Sequence, residues 1–148
     1  MRTLWIVRGI AGSGKTTLAN IMKDGLMVLP MQSNREMERE PLLVSADDYF
    51  YAAGRGEYKF DKTKLGEAHR QCQVKVTEAM EVGLRHIIVH NTFSQQWEFE
   101  PYKQLAKYYK YAVFIIECQN DFGSTHHVPQ ETITAMRERW EMLEAEND

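Results

Sequence analysis

Residues 9–16 read Gly9-Ile10-Ala11-Gly12-Ser13-Gly14-Lys15-Thr16, and they fit the pattern G-x-x-x-x-G-K-[ST] at every fixed position. The residues before it, 3–8, are rich in β-forming side chains and predict a buried strand. The residues after it, from Lys15 to about Lys23, carry apolar side chains at helical spacing. A glycine-rich loop between a strand and a helix curls so that its N–H groups converge on phosphate oxygens. The sequence therefore predicts a phosphate-binding loop.

The residue types in this loop predict ATP and Mg²⁺ as ligands. Lys15 can reach between the β- and γ-phosphates, and the hydroxyl of Thr16 is placed to ligate Mg²⁺, so Thr16 is the predicted metal residue. ATP is favoured because the guanine-reading N/T-K-x-D motif of GTPases is absent from the sequence. The predicted nucleotide-binding residues are Gly9, Ala11, Gly12, Ser13, Gly14, Lys15, Thr16 and Thr17.

Length and composition exclude several classes of protein. The chain has 148 residues, and we expect residues 1–148 to form one domain. A formal net charge of −3 argues against a protein that coats nucleic acid by bulk electrostatics. No apolar run reaches the roughly 18–20 residues that span a membrane. The only two cysteines, Cys72 and Cys118, make no disulfide framework, so we expect a cytoplasmic protein with no membrane partner.

Short apolar runs alternate with helical patterns along the whole chain. Strands are predicted at 3–8, 42–46, 86–90 and 111–117, and helices at 15–23, 61–82, 98–110 and from Pro129 to about Glu144. For the long second helix, Asp61 is the expected N-cap and Gly83 the stop signal. This β-α order with continuous apolar strands predicts an α/β fold, a three-layer α/β/α sandwich around a parallel sheet. Ligands bind such sheets at the edge formed by the carboxyl ends of the strands.

An acidic pair, Asp47-Asp48, follows the second predicted strand at this binding edge. A carboxylate that faces the γ-phosphate across a cleft can orient and deprotonate an acceptor hydroxyl. We predict this catalytic role for Asp47. Asp48 is expected to cap the following turn or to contact and position the residues that bind the substrate.

Taken together with the phosphate loop, six further segments make the chain resemble a known family. They are S-A-D-D-Y-F (45–50), G-E-Y-K-F-D (56–61), L-G-E-A-H (65–69), I-I-V-H-N-T-F (87–93), W-E-F-E-P-Y (97–102) and V-P-Q-E-T-I (128–133). Their order and spacing resemble the P-loop kinase group that includes the kinase domain of phage 5′-hydroxyl polynucleotide kinases and related AAA_33-type proteins. The resemblance runs from about residue 3 to residue 141, apart from residues 31–40.

The resemblance implies a kinase that transfers the γ-phosphoryl of ATP to a hydroxyl acceptor. The implied acceptor is the 5′-hydroxyl end of RNA or DNA, with a nucleoside or small alcohol as alternatives. Asp47 corresponds to the general base of the family, and the 90–92 stretch corresponds to the strand end near the acceptor. The predicted substrate-binding residues are Asp48, Asn91 and Thr92. The match to phage enzymes also suggests a viral origin, in which case the location is the host cytoplasm.

The chain departs from the family pattern at two places. His90-Asn91 stands where the family usually carries a carboxylate. The lid between the fourth strand and the last helix is short, and residues 119–128 contain no arginine or lysine to stabilise the transferring phosphoryl group. Three substitutes are open: Arg55 as a catalytic residue, Arg137 or Arg139 from the last helix, or a partner subunit, second copy or nucleic acid that completes the lid.

Aromatic residues surround the predicted mouth of the site and suit a nucleic-acid end, because bases stack on such side chains. They are Tyr49, Phe50, Tyr51, Tyr58, Phe60, Phe93 and Trp97. About half of them are expected to fill the core beneath the loops, Phe60 and Trp97 in particular. His69 on the long helix is expected to pack or hydrogen-bond beneath the acceptor loop, with a catalytic role as the alternative.

Two functional hypotheses follow from the sequence. The first is the ATP-dependent kinase described above. The second is a nucleotide-binding regulatory or partner-dependent protein, derived from such a kinase but with weak or no phosphotransfer. The intact Lys15, Thr16 and Asp47 favour the kinase, whereas the missing lid arginine and the altered strand end favour the regulatory protein.

Overall fold

The computed structural model describes residues 1–27, 40–51, 57–123 and 127–143. Its helices and strands are, in chain order, β1 (Thr3–Arg8), α1 (Lys15–Leu26), β2 (Leu42–Val44), a 3₁₀ helix (Ala46–Phe50), a second 3₁₀ helix (Lys62–Lys64), α2 (Leu65–Glu81), β3 (His86–Asn91), α3 (Gln96–Tyr109), β4 (Ala112–Glu117) and α4 (Gln130–Glu138). We call the first 3₁₀ helix, Ala46–Phe50, the acidic turn because it carries Asp47 and Asp48.

The four strands form one parallel sheet in the order β2-β3-β1-β4. β1 lies in the middle, with Arg8 at its carboxyl end beside Asn91 of β3 and Glu117 of β4. All strands are parallel, so their carboxyl ends lie at one edge of the sheet. The phosphate loop leaves β1 at this edge, and the acidic turn follows β2 there.

Helices cover both faces of the sheet. On one face, Leu4 and Ile6 of β1 pack with residues of α2 and α3 in the larger core cluster. On the other face, Val7 and Ile88 pack against Ala19 of α1. The alternation of side chains along a strand sends neighbouring residues to opposite faces, and this explains why both faces are apolar. The predicted three-layer α/β/α fold with a parallel sheet is confirmed.

Several element boundaries differ from the sequence prediction, and local hydrogen bonds explain the early end of β2 and the late start of α2. β2 ends at Val44, since the next residues turn into the 3₁₀ geometry of the acidic turn. α2 begins at Leu65 rather than Asp61. Asp61 does act as an N-cap, accepting a hydrogen bond from the Thr63 N–H at 2.9 Å, but it caps the short 3₁₀ helix that precedes α2.

The last helix ends at Glu138, not near Glu144 as predicted. Beyond it, the indole N–H of Trp140 donates to Glu117 at 3.1 Å and the backbone N–H of Glu141 donates to the Ser94 carbonyl at 2.7 Å. These contacts to β4 and to the β3–α3 connection compete with helical continuation. Tertiary contacts therefore override the local helical preference.

Two aromatic residues that were expected in the core lie on the surface. Phe60 is 54% exposed and Trp97 is 68% exposed, whereas Phe50 and Phe93 are buried. Within the described ranges, every helix is too short or too polar to cross a lipid bilayer. The prediction that residues 1–148 form a single domain stays a prediction.

Candidate active site

The phosphate loop has the tight backbone geometry that its glycines allow. Gly14 has φ of +89°, in the left-handed region that side chains other than glycine rarely adopt. A Cβ atom at Gly9 would lie 2.2 Å from the Ser13 hydroxyl and 3.0 Å from the Cys118 carbonyl oxygen. The loop therefore has no room for side chains at these two positions, and its backbone N–H groups remain the groups that can contact a phosphate.

Lys15 begins α1 and is partly buried beside the loop. Its ammonium group donates a long hydrogen bond, 3.4 Å, to the Ile10 carbonyl oxygen. Burial lowers the pKa of Lys15, while the negative charge of Asp47 opposes that shift. The hydroxyl of Ser13 is buried and has no hydrogen-bond partner among the described residues. A partly buried cation and an unsatisfied hydroxyl on a tight glycine-rich loop fit a bound polyphosphate.

The remaining predicted nucleotide-binding residues lie on the same loop and the first turn of α1. Ala11 and Gly12 are half-buried, and Thr16 and Thr17 are exposed. Among the described residues, no group of three or more His, Cys, Asp and Glu side chains could hold a metal ion. Mg²⁺ commonly keeps several water ligands and binds through phosphates and few protein oxygens, so the exposed Thr16 hydroxyl fits a Mg²⁺–nucleotide complex.

The two carboxylates of the acidic turn have different surroundings, because only Asp48 takes part in capping the turn. The Ser45 hydroxyl accepts a hydrogen bond from the Asp47 N–H at 3.1 Å, and Asp48 accepts one from the Ser45 N–H at 3.0 Å. This reciprocal pair is a capping box. Asp48 is therefore a cap, one of the two roles expected for it, and the contact with substrate stays a prediction. The carboxylate of Asp47 takes no part in the capping box.

Asn91 holds the acidic turn from beneath. It is 5% exposed, and its side-chain oxygen accepts hydrogen bonds from the Ser45 hydroxyl at 3.2 Å and the Ala46 N–H at 2.8 Å. Its amide nitrogen lies 3.8 Å from the sulfur of Cys72, a buried thiol whose pKa is raised by that burial. The structure thus assigns Asn91 a positioning contact, whereas its predicted contact with substrate is untested. Thr92, the next residue, accepts the Gly9 N–H at 3.2 Å through its carbonyl oxygen.

Tyr58 is a site residue to which the sequence analysis gave no role beyond aromatic surface. Its hydroxyl donates a hydrogen bond to Asp47 Oδ1 at 3.2 Å. Burial and the negative charge of Asp47 together raise the pKa of Tyr58, so the phenol stays protonated and donates. Tyr58 lies in the segment G-E-Y-K-F-D, which carries the family resemblance. The hydrogen bond could not be predicted because Tyr58 and Asp47 are 11 positions apart in the chain.

Two histidines lie near the carboxylates. His90, at the end of β3, is 6% exposed, and its Nδ1 has no hydrogen-bond partner among the described residues. Burial and the charge of Lys15 lower its pKa, against the opposing effects of Asp48 and Asp47. Burial also lowers the pKa of His69 on α2, against the negative charges of Glu98 and Asp47. His69 is half-buried, and its expected packing beneath the acceptor loop stays a prediction.

The buried imidazole of His90 makes stability depend on pH. Its pKa is lower in the folded protein than the ordinary value of 6.5, so the unfolded chain binds the proton more tightly. This contribution to stability is therefore present above about pH 6.5 and is lost as the pH falls below it. We expect the free energy of unfolding, measured with urea between about pH 7.5 and 5.5, to fall less steeply in His90→Asn, by up to about 1.4 kcal/mol per pH unit. Equal slopes for His90→Asn and the wild type would contradict this prediction.

Arg8 connects the strand ends beneath the phosphate loop, a role that was not predicted from the sequence. The side chain is 0% exposed. It donates through Nε to the Phe93 carbonyl at 2.9 Å, and through Nη2 to the carbonyls of Ser94 at 3.1 Å and Glu141 at 2.8 Å. Its Nη1 pairs with Glu117 Oε1 at 3.2 Å. Arg8 immediately precedes the phosphate loop. Its guanidinium connects the carboxyl ends of β1, β3 and β4 with Glu141, which follows α4. The only sequence signal is a charged residue that ends an apolar strand.

The three candidate substitutes for a lid arginine have different surroundings. Arg55 lies outside the described residues. Arg139 donates through Nε to the Ser94 hydroxyl at 2.9 Å, beneath the site. Arg137 forms an ion pair with Asp121 at 3.2 Å, in the segment that follows β4. Of the two described arginines, Arg137 is therefore the one next to the segment that contacts the phosphate loop.

Comparisons with known proteins agree with this architecture. The chain is 34% identical over 147 residues to the human protein NEDD4-binding protein 2, covering 93% of the chain but only 8% of the length of that protein. In structure it resembles an APS kinase of Mycobacterium tuberculosis, with a TM-score of 0.54, 11% identity and coverage of 93% and 96% of the two chains. It also resembles a chain of the Pnkp1/Rnl/Hen1 RNA repair complex, with a TM-score of 0.53, 16% identity and coverage of 93% and 37%.

These structural likenesses concern the fold, which is that of P-loop kinases. The sequence match is more specific, because the model of the AAA_33 family, described as an AAA domain, covers residues 4–127. That range contains the phosphate loop, the acidic turn and all of the sheet except Thr3, the first residue of β1. The chain belongs to the AAA_33 family.

Proposed function

We propose that the chain is an ATP-dependent kinase that transfers the γ-phosphoryl group to a hydroxyl, with the 5′-hydroxyl end of a polynucleotide as the acceptor. The main support for the proposal is that a phosphate loop lies near the Asp47 carboxylate, which is carried on a turn held by its own capping box and by Asn91. Lys15 lies within electrostatic reach of Asp47, and the capping box leaves the Asp47 carboxylate available to an acceptor. A kinase needs this combination of a phosphate clamp and a positioned base.

The phosphate loop would bind and orient the nucleotide. Its N–H groups and the amino end of α1 contact phosphate oxygens, and Lys15 contacts the β- and γ-phosphates. Thr16 would hold Mg²⁺, which when bound neutralises charge on those oxygens. Arg8 contributes indirectly, because it fixes the strand end from which the loop departs.

Asp47 would act as the general base. It accepts the proton of the acceptor hydroxyl while the oxygen forms a bond to the γ-phosphorus. The bond from the γ-phosphorus to the β–γ bridging oxygen breaks, and ADP leaves with that oxygen. The Tyr58 hydroxyl, donating to Oδ1, orients the carboxylate, and Asn91 holds the turn that carries it.

The surface next to Asp47 favours a polynucleotide acceptor. Tyr51 is 40% exposed and lies 5.2 Å, ring centre to ring centre, from Tyr58, which contacts Asp47. The exposed ring of Phe60 lies two residues further along. Exposed lysines follow the same segment at positions 62 and 64. Exposed aromatic rings beside positive charge are the elements with which proteins bind single-stranded nucleic acid.

Transfer of labelled γ-phosphate from ATP in the presence of Mg²⁺ tests this proposal. We expect label on RNA or DNA oligonucleotides with a 5′-hydroxyl, no label on the same oligonucleotides with a 5′-phosphate, and no transfer by Lys15→Ala. The blocked oligonucleotide is the matched control, because it differs only at the accepting atom. Transfer to nucleosides or small alcohols but not to oligonucleotides would contradict the proposed polynucleotide acceptor but not the proposed kinase activity.

A second candidate function is a nucleotide-binding regulatory protein with weak transfer. The observation that favours it is the absence of arginine and lysine from residues 119–128, since such a cation stabilises the transferring phosphoryl group. Binding of ATP without transfer to any of these acceptors would favour this function. A partner subunit that restores transfer would show that the lid is completed from outside the chain.

A further inference from the structure

The positions of the strands set the direction in which a bound nucleotide lies. β1 and its phosphate loop have β3 on one side and β4 on the other. Asp47 belongs to the β3 side, because Asn91 of β3 holds the acidic turn. A γ-phosphoryl group that reacts near Asp47 therefore lies toward β3. The other end of the nucleotide, the base, must then extend toward β4.

On the β4 side, an aromatic ring lies against the phosphate loop. The backbone N–H of Phe122 donates to the Gly12 carbonyl oxygen at 2.7 Å. The ring packs on Gly14, where an added Cβ would lie 3.0 Å from Cε2 and 3.2 Å from Cδ2. Yet the residue is 73% exposed. One part of the ring therefore rests on the loop while much of its surface faces solvent.

Asp121, the residue before this ring, connects the turn to α4. The carboxylate of Asp121 accepts a hydrogen bond from the Gly123 N–H at 3.2 Å and pairs with Arg137 of α4 at 3.2 Å. Gly123 has φ of +81°, so the turn depends on a glycine there. Exposed aromatic rings occur elsewhere on the surface, and what distinguishes Phe122 is its contact with Gly14 of the phosphate loop, which leaves the outer part of the ring open to a bound nucleotide.

We propose that Phe122 is the platform on which the nucleobase of the bound nucleotide stacks. The inference rests on the proposed nucleotide binding and names the residue that receives the base. A ring that only sealed the loop would be buried, whereas this one presents most of its surface. Stacking on an aromatic ring accepts any base, so Phe122 strengthens binding of nucleoside triphosphates without selecting adenine over guanine.

Calorimetric titration with two ligands, ATP and inorganic tripolyphosphate, each with Mg²⁺, separates base contacts from phosphate contacts. We expect Phe122→Ala to weaken ATP binding about tenfold, which is about 1.4 kcal/mol, and to leave tripolyphosphate binding unchanged. Phe122→Tyr keeps the ring and should bind ATP as the wild type does. Tyr108→Ala removes an aromatic residue of similar exposure, 78%, on α3, and should change neither affinity.

The outcomes distinguish this inference from the proposed function. Equal loss of both ligands in Phe122→Ala, or no loss of ATP affinity, overturns the platform and leaves nucleotide binding intact. Equal weakening of ATP and tripolyphosphate in Lys15→Ala identifies the phosphate contact in the same experiment. If the wild-type protein binds neither ligand, the nucleotide site is wrong and the platform is overturned with it.

Discussion

Asp47→Asn is expected to lower the rate of phosphoryl transfer by about 10²–10⁴-fold while ATP affinity changes little. The substitution keeps the size of the side chain and its ability to accept a hydrogen bond from Tyr58, but an amide does not take the acceptor proton. Because Lys15 and the loop N–H groups supply the phosphate contacts, nucleotide binding survives the change. The measurement is transfer of labelled phosphate under single-turnover conditions, together with calorimetry for ATP.

Two companion variants make this result specific. Asp24→Asn changes an exposed carboxylate on α1 and should leave the rate unaltered. Asp47→Glu retains a carboxylate but moves it by one methylene, so an intermediate rate is expected. Transfer by Asp47→Asn at the wild-type rate would show that another group accepts the proton or that none is required.

Arg8→Met is expected to have the largest effect on stability. The substitution leaves three backbone carbonyls, of Phe93, Ser94 and Glu141, without their buried donor, and it leaves Glu117 without its cation. Removing one member of a buried, hydrogen-bonded charged group costs roughly 3–5 kcal/mol of unfolding free energy. The guanidinium also lies 4.0 Å from the centre of the Trp140 ring, so its loss should loosen the C-terminal residues. Urea unfolding followed by tryptophan fluorescence measures the change.

Arg85→Met provides the matched control, because Arg85 is exposed and precedes β3 at the opposite end of the sheet. It should cost little, as surface substitutions do. Arg8→Lys keeps the charge but not the five donors, and it should lie between Arg8→Met and the wild type. If Arg8→Met cost no more than Arg85→Met, Arg8 would not organise the strand ends.

The parts of the site that could be predicted from sequence are those whose residues are neighbours in the chain. The phosphate loop is a continuous stretch, and the capping box spans four residues, from Ser45 to Asp48, so local chemistry determines both. The sheet follows from the apolar strands and their alternation with helices. The same local signals also identified Asp61 as a cap.

The parts that could not be predicted depend on contacts between distant segments. The hydrogen bond from Arg8 to Glu141 joins residues 133 positions apart, and no local pattern encodes it. The early end of α4 at Glu138 likewise depends on contacts between distant segments, those of Trp140 with Glu117 and of Glu141 with Ser94. The exposure of Phe60 contradicted the expectation that large aromatic rings near loops fill the core, because sequence shows the ring but not the space around it. The position of Phe122 against Gly14 was hidden for the same reason.

The proposed reaction requires that a phosphoryl group on the loop and an acceptor hydroxyl meet at Asp47. A crystal structure with a non-hydrolysable ATP analogue, Mg²⁺ and a 5′-hydroxyl oligonucleotide tests it most directly. We expect the γ-phosphate between Lys15 and Asp47, with the 5′ oxygen about 2.6–3.2 Å from the Asp47 carboxylate. A γ-phosphate directed away from Asp47, or a 5′ end bound elsewhere on the surface, would contradict it.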